Sequence, residues 1–450
     1  MKSQLKTVLI ILSIIAVVLI YSFKINKDYW ATILLPIAYA VGILSLFKPE
    51  KYKYGPCSIC LMCFYAFRMC VLPVICAWGD FFMEISASYY IAYYTRGILL
   101  MCLEFLVIIY SNNYYCKKNL NRREVASELF NHRLLNITTI VIAFIMIGGL
   151  IFIAPDYFHF LLNEINIDLD FEETEHRGIW YVLNLVCNLG RPLLSIVIIS
   201  YGLKKKNVFG ALISFGVIAL NFLFMSDHRI YSLLISGVCL YYVIHTVKSK
   251  FLSTSLLAFL LAGAIFTVYV CFFYQIGEGK EFISRTFDHY FSGPSLTAIG
   301  LSANSRVDYS LTVFFKLLFN DFHVLNVLFG KFQVQNAYEI IFDYSHGIWT
   351  PMLVGGIRYF GPLAIIFLVL FVKFICFCDH KIKTVDDQVF QMLYVFMGVN
   401  LACNMIMYKF ELILYYMLST VLLYNCLIYF SRRRKSINYS YSDPLESSFR

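Results

Sequence analysis

Residues 7–23 read TVLIILSIIAVVLIYSF, a run without one acidic or basic side chain. As a helix rising about 1.5 Å per residue, it is long enough to cross most of a hydrocarbon core about 30 Å thick. Lys2 and Lys6 precede it, as in a signal peptide, but the chain continues into KINKDYW at 24–30 with no small-residue cleavage site. A retained first membrane helix is therefore expected. Comparable runs recur at 30–47, 57–78, 89–110, 137–155, 179–202, 208–225, 229–247, 251–274, 358–377, 388–407 and 411–430. A transmembrane barrel would instead show ten-residue alternation. Composition agrees: of 450 residues, 60% are hydrophobic, 18% aromatic and only 14% charged, which leaves too little polarity to cover a water-exposed surface. The expected fold is all-α, a polytopic membrane protein of about twelve spans forming a single membrane domain over 1–450.

The basic residues give the orientation, because short loops rich in Lys and Arg mark the cytoplasmic side. Lys48, Lys51 and Lys53 follow the second run, and Lys117, Lys118, Arg122, Arg123 and Arg133 the fourth. Lys204, Lys205 and Lys206 follow the sixth, Lys248 and Lys250 the eighth, Lys381 and Lys383 the tenth, and SRRRK at 431–435 the last. All fall on one side. Both termini are then cytoplasmic, as are the basic loop 111–136 and the tail 431–450. The net charge of +9 reads as topology and not as nucleic-acid binding. The opposite side carries an acidic loop, 156–178, and by far the longest connection, 275–356. In the latter, 311–319 and 324–329 are apolar enough to form helices on the membrane surface.

The fourteen cysteines lie almost all in apolar runs, where Cys packs as a small hydrophobe, so no disulfide framework is expected. Cys57, Cys60 and Cys63 have metal-ligand spacing but no His or fourth Cys beside them, and packing is the preferred reading. Asp168-Leu169-Asp170 spells D-x-D within an acidic outer loop and reads as a solvated stretch. His289 and His323 read as ordinary loop histidines. No metal and no cofactor is expected.

Cations inside apolar runs need a reason. Arg68, Arg96 and Arg191 would each cost several kcal/mol facing lipid, so each is expected to face the bundle interior or a wet cavity. They serve there either as internal ion pairs that fix helix packing or as a positive cavity for an anionic headgroup. Glu104 is a partner for one such buried cation. FMSDHRIYS at 224–232 turns between two runs and either caps two helices or presents Arg229 to a site. The long outer connection contains SANSRVDYSLTVFFKLLFNDFHVLNVLFGKF at 302–332 and YSHGIWTPMLVGGIRYFGPL at 344–363, which bring Arg306, His346 and Arg358. Gly355, Gly356 and Gly361 permit close backbone approach or a broken helix start.

Together these pieces resemble the O-antigen polymerase and O-antigen ligase superfamily. Its members carry an arginine in a short turn between two helices and a large external loop with an arginine ahead of an amphipathic helix. A histidine followed by glycines then stands at the next helix. Carried over by position, Arg229 matches the turn arginine, Arg306 the loop arginine and His346 the loop histidine. Gly347 stands where the family usually has Asn. The resemblance implies a C-type membrane glycosyltransferase bundle (GT-C-like) with its site on the periplasmic face of the bacterial cytoplasmic membrane. It further implies lipid-linked glycan donors and acceptors on undecaprenyl diphosphate, surrounding membrane lipids and a chain-length regulator protein as partner. His346 would be the general base, with Arg229 and Arg306 catalytic and Arg191, Arg96, Arg68 and Arg358 binding diphosphate or glycan. A ligase of the same superfamily and a flippase for the same lipid-linked sugar are the competing readings.

Overall fold

The structure is a computed structural model that describes residues 2–49, 51–52, 54–79, 87–120, 130–152, 177–204, 208–223, 229–273, 279–305, 310–321, 330, 351–407, 410, 413–414 and 420–431. The described residues are helical, and no strand occurs among them. In chain order, α1 (Lys2–Ser22) leads through a 3-10 turn (Lys27–Ile33) into α2 (Leu34–Ser45). Then follow α3 (Pro56–Ala66), a π-helical turn (Phe67–Val71), α4 (Leu72–Gly79), α5 (Ala87–Leu120), α6 (His132–Phe152), α7 (Arg177–Lys204) and α8 (Val208–Leu223). Next come α9 (Arg229–Tyr242) with a second π turn (Val243–Val247), α10 (Lys250–Phe273), α11 (Gly279–Tyr290), α12 (Pro294–Asn304) and α13 (Leu311–Asp321). The chain closes with α14 (Met352–Phe360), a 3-10 turn (Gly361–Leu363), α15 (Ala364–Thr384), α16 (Gln388–Met407) and α17 (Leu422–Ser431).

Among the described residues, six segments are long and apolar enough to cross a membrane: Gln4–Ser22, Lys27–Ser45, Pro56–Gly79, Ile91–Lys117, Met352–Thr384 and Gln388–Met407. The chain is a helical membrane protein by that measure. Helix α16 lies at its centre, with 94% of its apolar window buried against 22% for that of α1. It packs on α3, α7, α9 and α15, and α15 packs in turn on α5. Even the polar side chains of α16 are satisfied internally, as where Asn404 donates to Asn400 at 3.0 Å.

Local sequence explains where the helices break. Helix α3 begins on Pro56, whose missing N–H would have had no partner in the first turn. The next two amides, of Cys57 and Ser58, donate to the two oxygens of Asp379 on α15, each at 2.9 Å. A carboxylate far along the chain thus caps α3. Pro73 cannot donate to the carbonyl four residues back, and the turn ahead of it widens to π, Leu72 donating to Phe67. Gly361 takes φ +56° ahead of Pro362 and separates α14 from α15, the broken start anticipated there.

Two parts of the sequence reading need correction. The span expected to start at residue 358 starts at Met352, because the Gly355-Gly356 pair lies inside α14. A Cβ at Gly356 would stand 3.0 Å from Ala364 and 3.4 Å from Phe410, so the pair allows close packing and does not end the helix. The connection 275–356 holds packed helices where a loop was expected. Pro294–Gly300 of α12 are all buried, and α12 packs along α5 while α11 packs along α4. The apolar stretch 311–319 does form a helix, α13. Its Phe314 is buried against the rings of Tyr359, Phe360 and Phe410, so that face meets protein. The stretch 324–329 lies outside the described residues. Of the cysteine triplet, Cys57 is buried with its thiol toward the Val395 carbonyl, Cys60 is half-buried and Cys63 exposed.

Candidate functional site

Helix α12 has arginine near each end, and the two ends differ. At its start, α11 turns into α12 through Phe291-Ser292-Gly293, with Ser292 held at φ +47°, a region unfavourable for a residue with a side chain. Two buried groups clamp this elbow. Asp288 accepts from the amides of Ser295 and Leu296, each at 3.3 Å, and from the Cys76 thiol at 3.5 Å. Arg68, in the π turn, donates from Nε to the Ser292 carbonyl at 3.1 Å. Its Nη1 meets Glu104 Oε1 at 2.6 Å, and the Tyr65 hydroxyl donates to the same oxygen at 2.6 Å. Asp288 lies between the spanning segments, and its burial pushes the carboxyl up to about 7, against the lowering effect of the bonds it accepts.

The far end of α12 gathers different groups. The Asn304 amide donates to the Val354 carbonyl at 3.2 Å, and its oxygen accepts from Arg358 Nε at 2.5 Å. One residue on, Ser305 accepts from the Tyr93 hydroxyl at 3.0 Å, and the Arg96 guanidinium lies 5.8 Å from the centre of the Tyr93 ring. Three helices therefore converge here: α5 brings Tyr93 and Arg96, α12 brings Asn304 and Ser305, and α14 brings Arg358. The C-terminal end of a helix carries the negative end of its dipole, which favours the two guanidinium groups at this end. Arg358 is buried and Arg96 exposed. The arrangement brings one buried and one exposed cation to partners at the same helix end, chemistry suited to a phosphate or carboxylate ligand.

The sequence-picked residues divide accordingly. Arg358 reaches the end of α12 directly, through Asn304, and Arg96 indirectly, through the Tyr93 ring bonded to Ser305. Arg68 is buried with Glu104, the buried pairing foreseen for that carboxylate, and acts as an internal ion pair fixing α3, α5 and the elbow. Arg191 lies half-buried on α7 ahead of Pro192. Arg229 opens α9, but its side chain lies outside the described residues, as do Arg306, His323, His346 and the Asp168–Asp170 pair. His289 sits on α11 with its ring 6.0 Å from that of Tyr290. Of the two places expected for Arg96, the bundle interior is not the one it takes, since its side chain is exposed. It stands five residues inside the start of the Ile91–Lys117 segment, about 7 Å along the axis, close enough for a long side chain to reach the interface.

Asn304, Tyr93 and Ser305 were not singled out from the sequence. Asn304 and Ser305 stand immediately before Arg306 in SANSR, and Tyr93 is three residues before Arg96, one helical turn on the same face. That spacing was the available signal. Comparison with family models, with curated proteins and with solved structures finds no match for the chain.

Proposed function

We propose that this chain is a metal-independent glycosyltransferase of the O-antigen polymerase and ligase superfamily, a polymerase that joins undecaprenyl-diphosphate-linked repeat units of a surface polysaccharide. The observation that most supports this reading is that two arginines reach the end of α12 through separate partners, Arg358 through Asn304 and Arg96 through the Tyr93 ring bonded to Ser305, just ahead of Arg306 in the sequence. In this reading the chain crosses the bacterial cytoplasmic membrane about twelve times as a GT-C-like bundle. Both termini are cytoplasmic, and the end of α12 opens toward the periplasm.

The chemistry needs a base and fixed positive charge. An acceptor sugar hydroxyl attacks the anomeric carbon of the donor glycan and gives up its proton to His346. The bond from that carbon to the diphosphate oxygen breaks, and the lipid diphosphate leaves with the electron pair. Negative charge on the leaving oxygen grows through an oxocarbenium-like transition state, where preoriented guanidinium groups lower the barrier. Asn304, by holding Arg358 at Nε, fixes the plane of that fork. Arg306 and Arg229 complete the cationic surround, with Arg96 reaching in from α5.

The test is the product pattern in cells that carry the His346→Ala variant as their sole copy. A polymerase leaves lipid-linked glycan stalled at a single repeat, whereas loss of a ligase leaves long lipid-linked polymer. Unchanged polymer length and yield would refute the assignment of His346 as base.

A further inference from the structure

Away from the end of α12, helices α5 and α15 flank an open cavity of about 450 Å³, lined among others by Leu106, Tyr110, Tyr114 and Val369. The two helices run parallel here. Val369 lines the cavity with Leu106 and Tyr110, while one turn or two further Cys376 reaches Asn112 Oδ1 at 3.2 Å and the Cys116 sulfur at 3.9 Å. The exposed side chains on both helices change character in the same direction. On α5 the stripe reads Leu99, Leu103, Leu106, Tyr110, Tyr114, Lys117, and on α15 it reads Ile366, Leu370, Lys373. Spacings of three and four keep each stripe on one helix face. The acidic residues of these helices, Glu104 and Asp379, are both buried, the first against Arg68 and the second capping α3. Beyond the cavity lining, α5 therefore exposes Lys117 and α15 exposes Lys373, with no exposed carboxylate on either helix.

We infer that this groove is a binding site for one membrane glycerophospholipid with an anionic headgroup. The order aliphatic, phenolic, cationic is the order of a single lipid leaflet. An acyl chain lies between α5 and α15 along Leu106 and Val369, phenol hydroxyls meet the ester region at Tyr110 and Tyr114, and Lys117 and Lys373 hold the phosphate. Charge selects the occupant, because a second copy of this chain would bring lysines against lysines across the same face. The site is independent of the glycosyl-transfer reading.

The test places the full-length protein in nanodiscs of equal phosphatidylglycerol and phosphatidylcholine and measures retained lipid by native mass spectrometry. One phosphatidylglycerol is expected per chain, preferred over phosphatidylcholine by about 30-fold, the weight of two lysines near an anionic headgroup. In Lys117→Gln/Lys373→Gln the preference falls to near parity while the melting behaviour of the protein is kept. Val369→Trp, which fills the groove, removes the retained lipid with the lysines intact. Parity in the wild type, an unchanged preference in the lysine variant, or a dimer that carries no lipid would each overturn the inference.

Discussion

Replacing Glu104 with Ala isolates the energetic role of the elbow. The carboxylate is buried against Arg68, with 1% and 2% of the two side chains exposed, and a single oxygen takes both the Arg68 Nη1 and the Tyr65 hydroxyl at 2.6 Å. Removing it strands a buried guanidinium, which costs about 3–5 kcal/mol. The Tyr65 hydroxyl loses its acceptor as well, at about 1–3 kcal/mol if no other forms. The expected loss of stability is thus at least about 3 kcal/mol. Arg68 also holds the Ser292 carbonyl at the left-handed turn, so the α11–α12 elbow loosens with it. Replacing both charges, as in Arg68→Met/Glu104→Ala, removes the uncompensated ion and recovers much of that loss. The assay is reversible denaturant unfolding in detergent of the wild type, both single variants and the double variant, closed as a cycle. A Glu104→Ala loss below about 0.5 kcal/mol, or additivity of the two single changes, would refute the ion pair as the elbow's anchor.

Asp288 gives a pH dependence of defined sign. Its carboxyl is raised from 3.8 to about 7 by burial, so the folded chain keeps a proton that the unfolded chain releases. The contribution of Asp288 to stability is fully present below about pH 4 and is lost as pH rises to about 7, on the order of 4 kcal/mol in all. Asp288→Asn, facing the same Cys76, Ser295 and Leu296 groups, flattens this slope in an unfolding series from pH 4 to pH 8; an unaltered slope would assign it to other groups. Gly361→Ala forces a side chain into φ +56° and is expected to destabilise by about 1–3 kcal/mol, as measured by thermal unfolding. Asn304→Leu removes the acceptor of Arg358 Nε and should lower turnover of a lipid-diphosphate donor with little change in melting temperature, whereas Asn304→Asp, which keeps an acceptor, should restore much of it.

The sequence disclosed the helices by hydropathy and disclosed polar sites only where a charge stood out. Helix α16 has the limits read for its span, 388–407, because a continuous apolar run bounded by Asp386-Asp387 admits one reading. Helix α12 was read as part of the long connection because PSLTAIGLSAN, small and of mixed polarity, is no continuous apolar run. Its burial comes from close approach to α5, where a Cβ at Gly97 would stand 3.2 Å from Thr297 and 3.3 Å from the Ala298 amide. Packing through small side chains leaves almost no hydropathy signal. At the site, charge drew attention to Arg358, Arg96 and Arg68, but nothing in their spacing separated the internal pair from the gathered ones. That distinction depends on Glu104 lying across from Arg68, 36 residues along the chain, and on α14 meeting α12 through Asn304.

The central claim is glycosyl transfer from a lipid diphosphate, and reconstitution tests it most directly. Purified protein in vesicles is supplied with undecaprenyl-diphosphate-linked repeat units, and both released undecaprenyl diphosphate and glycan length are followed. The account predicts a ladder of lengthening glycan with one lipid diphosphate released per bond formed, and a rate lower by about two to four orders of magnitude in His346→Ala. No release and no ladder from folded wild-type protein, or a His346→Ala variant as fast as the wild type, would contradict it.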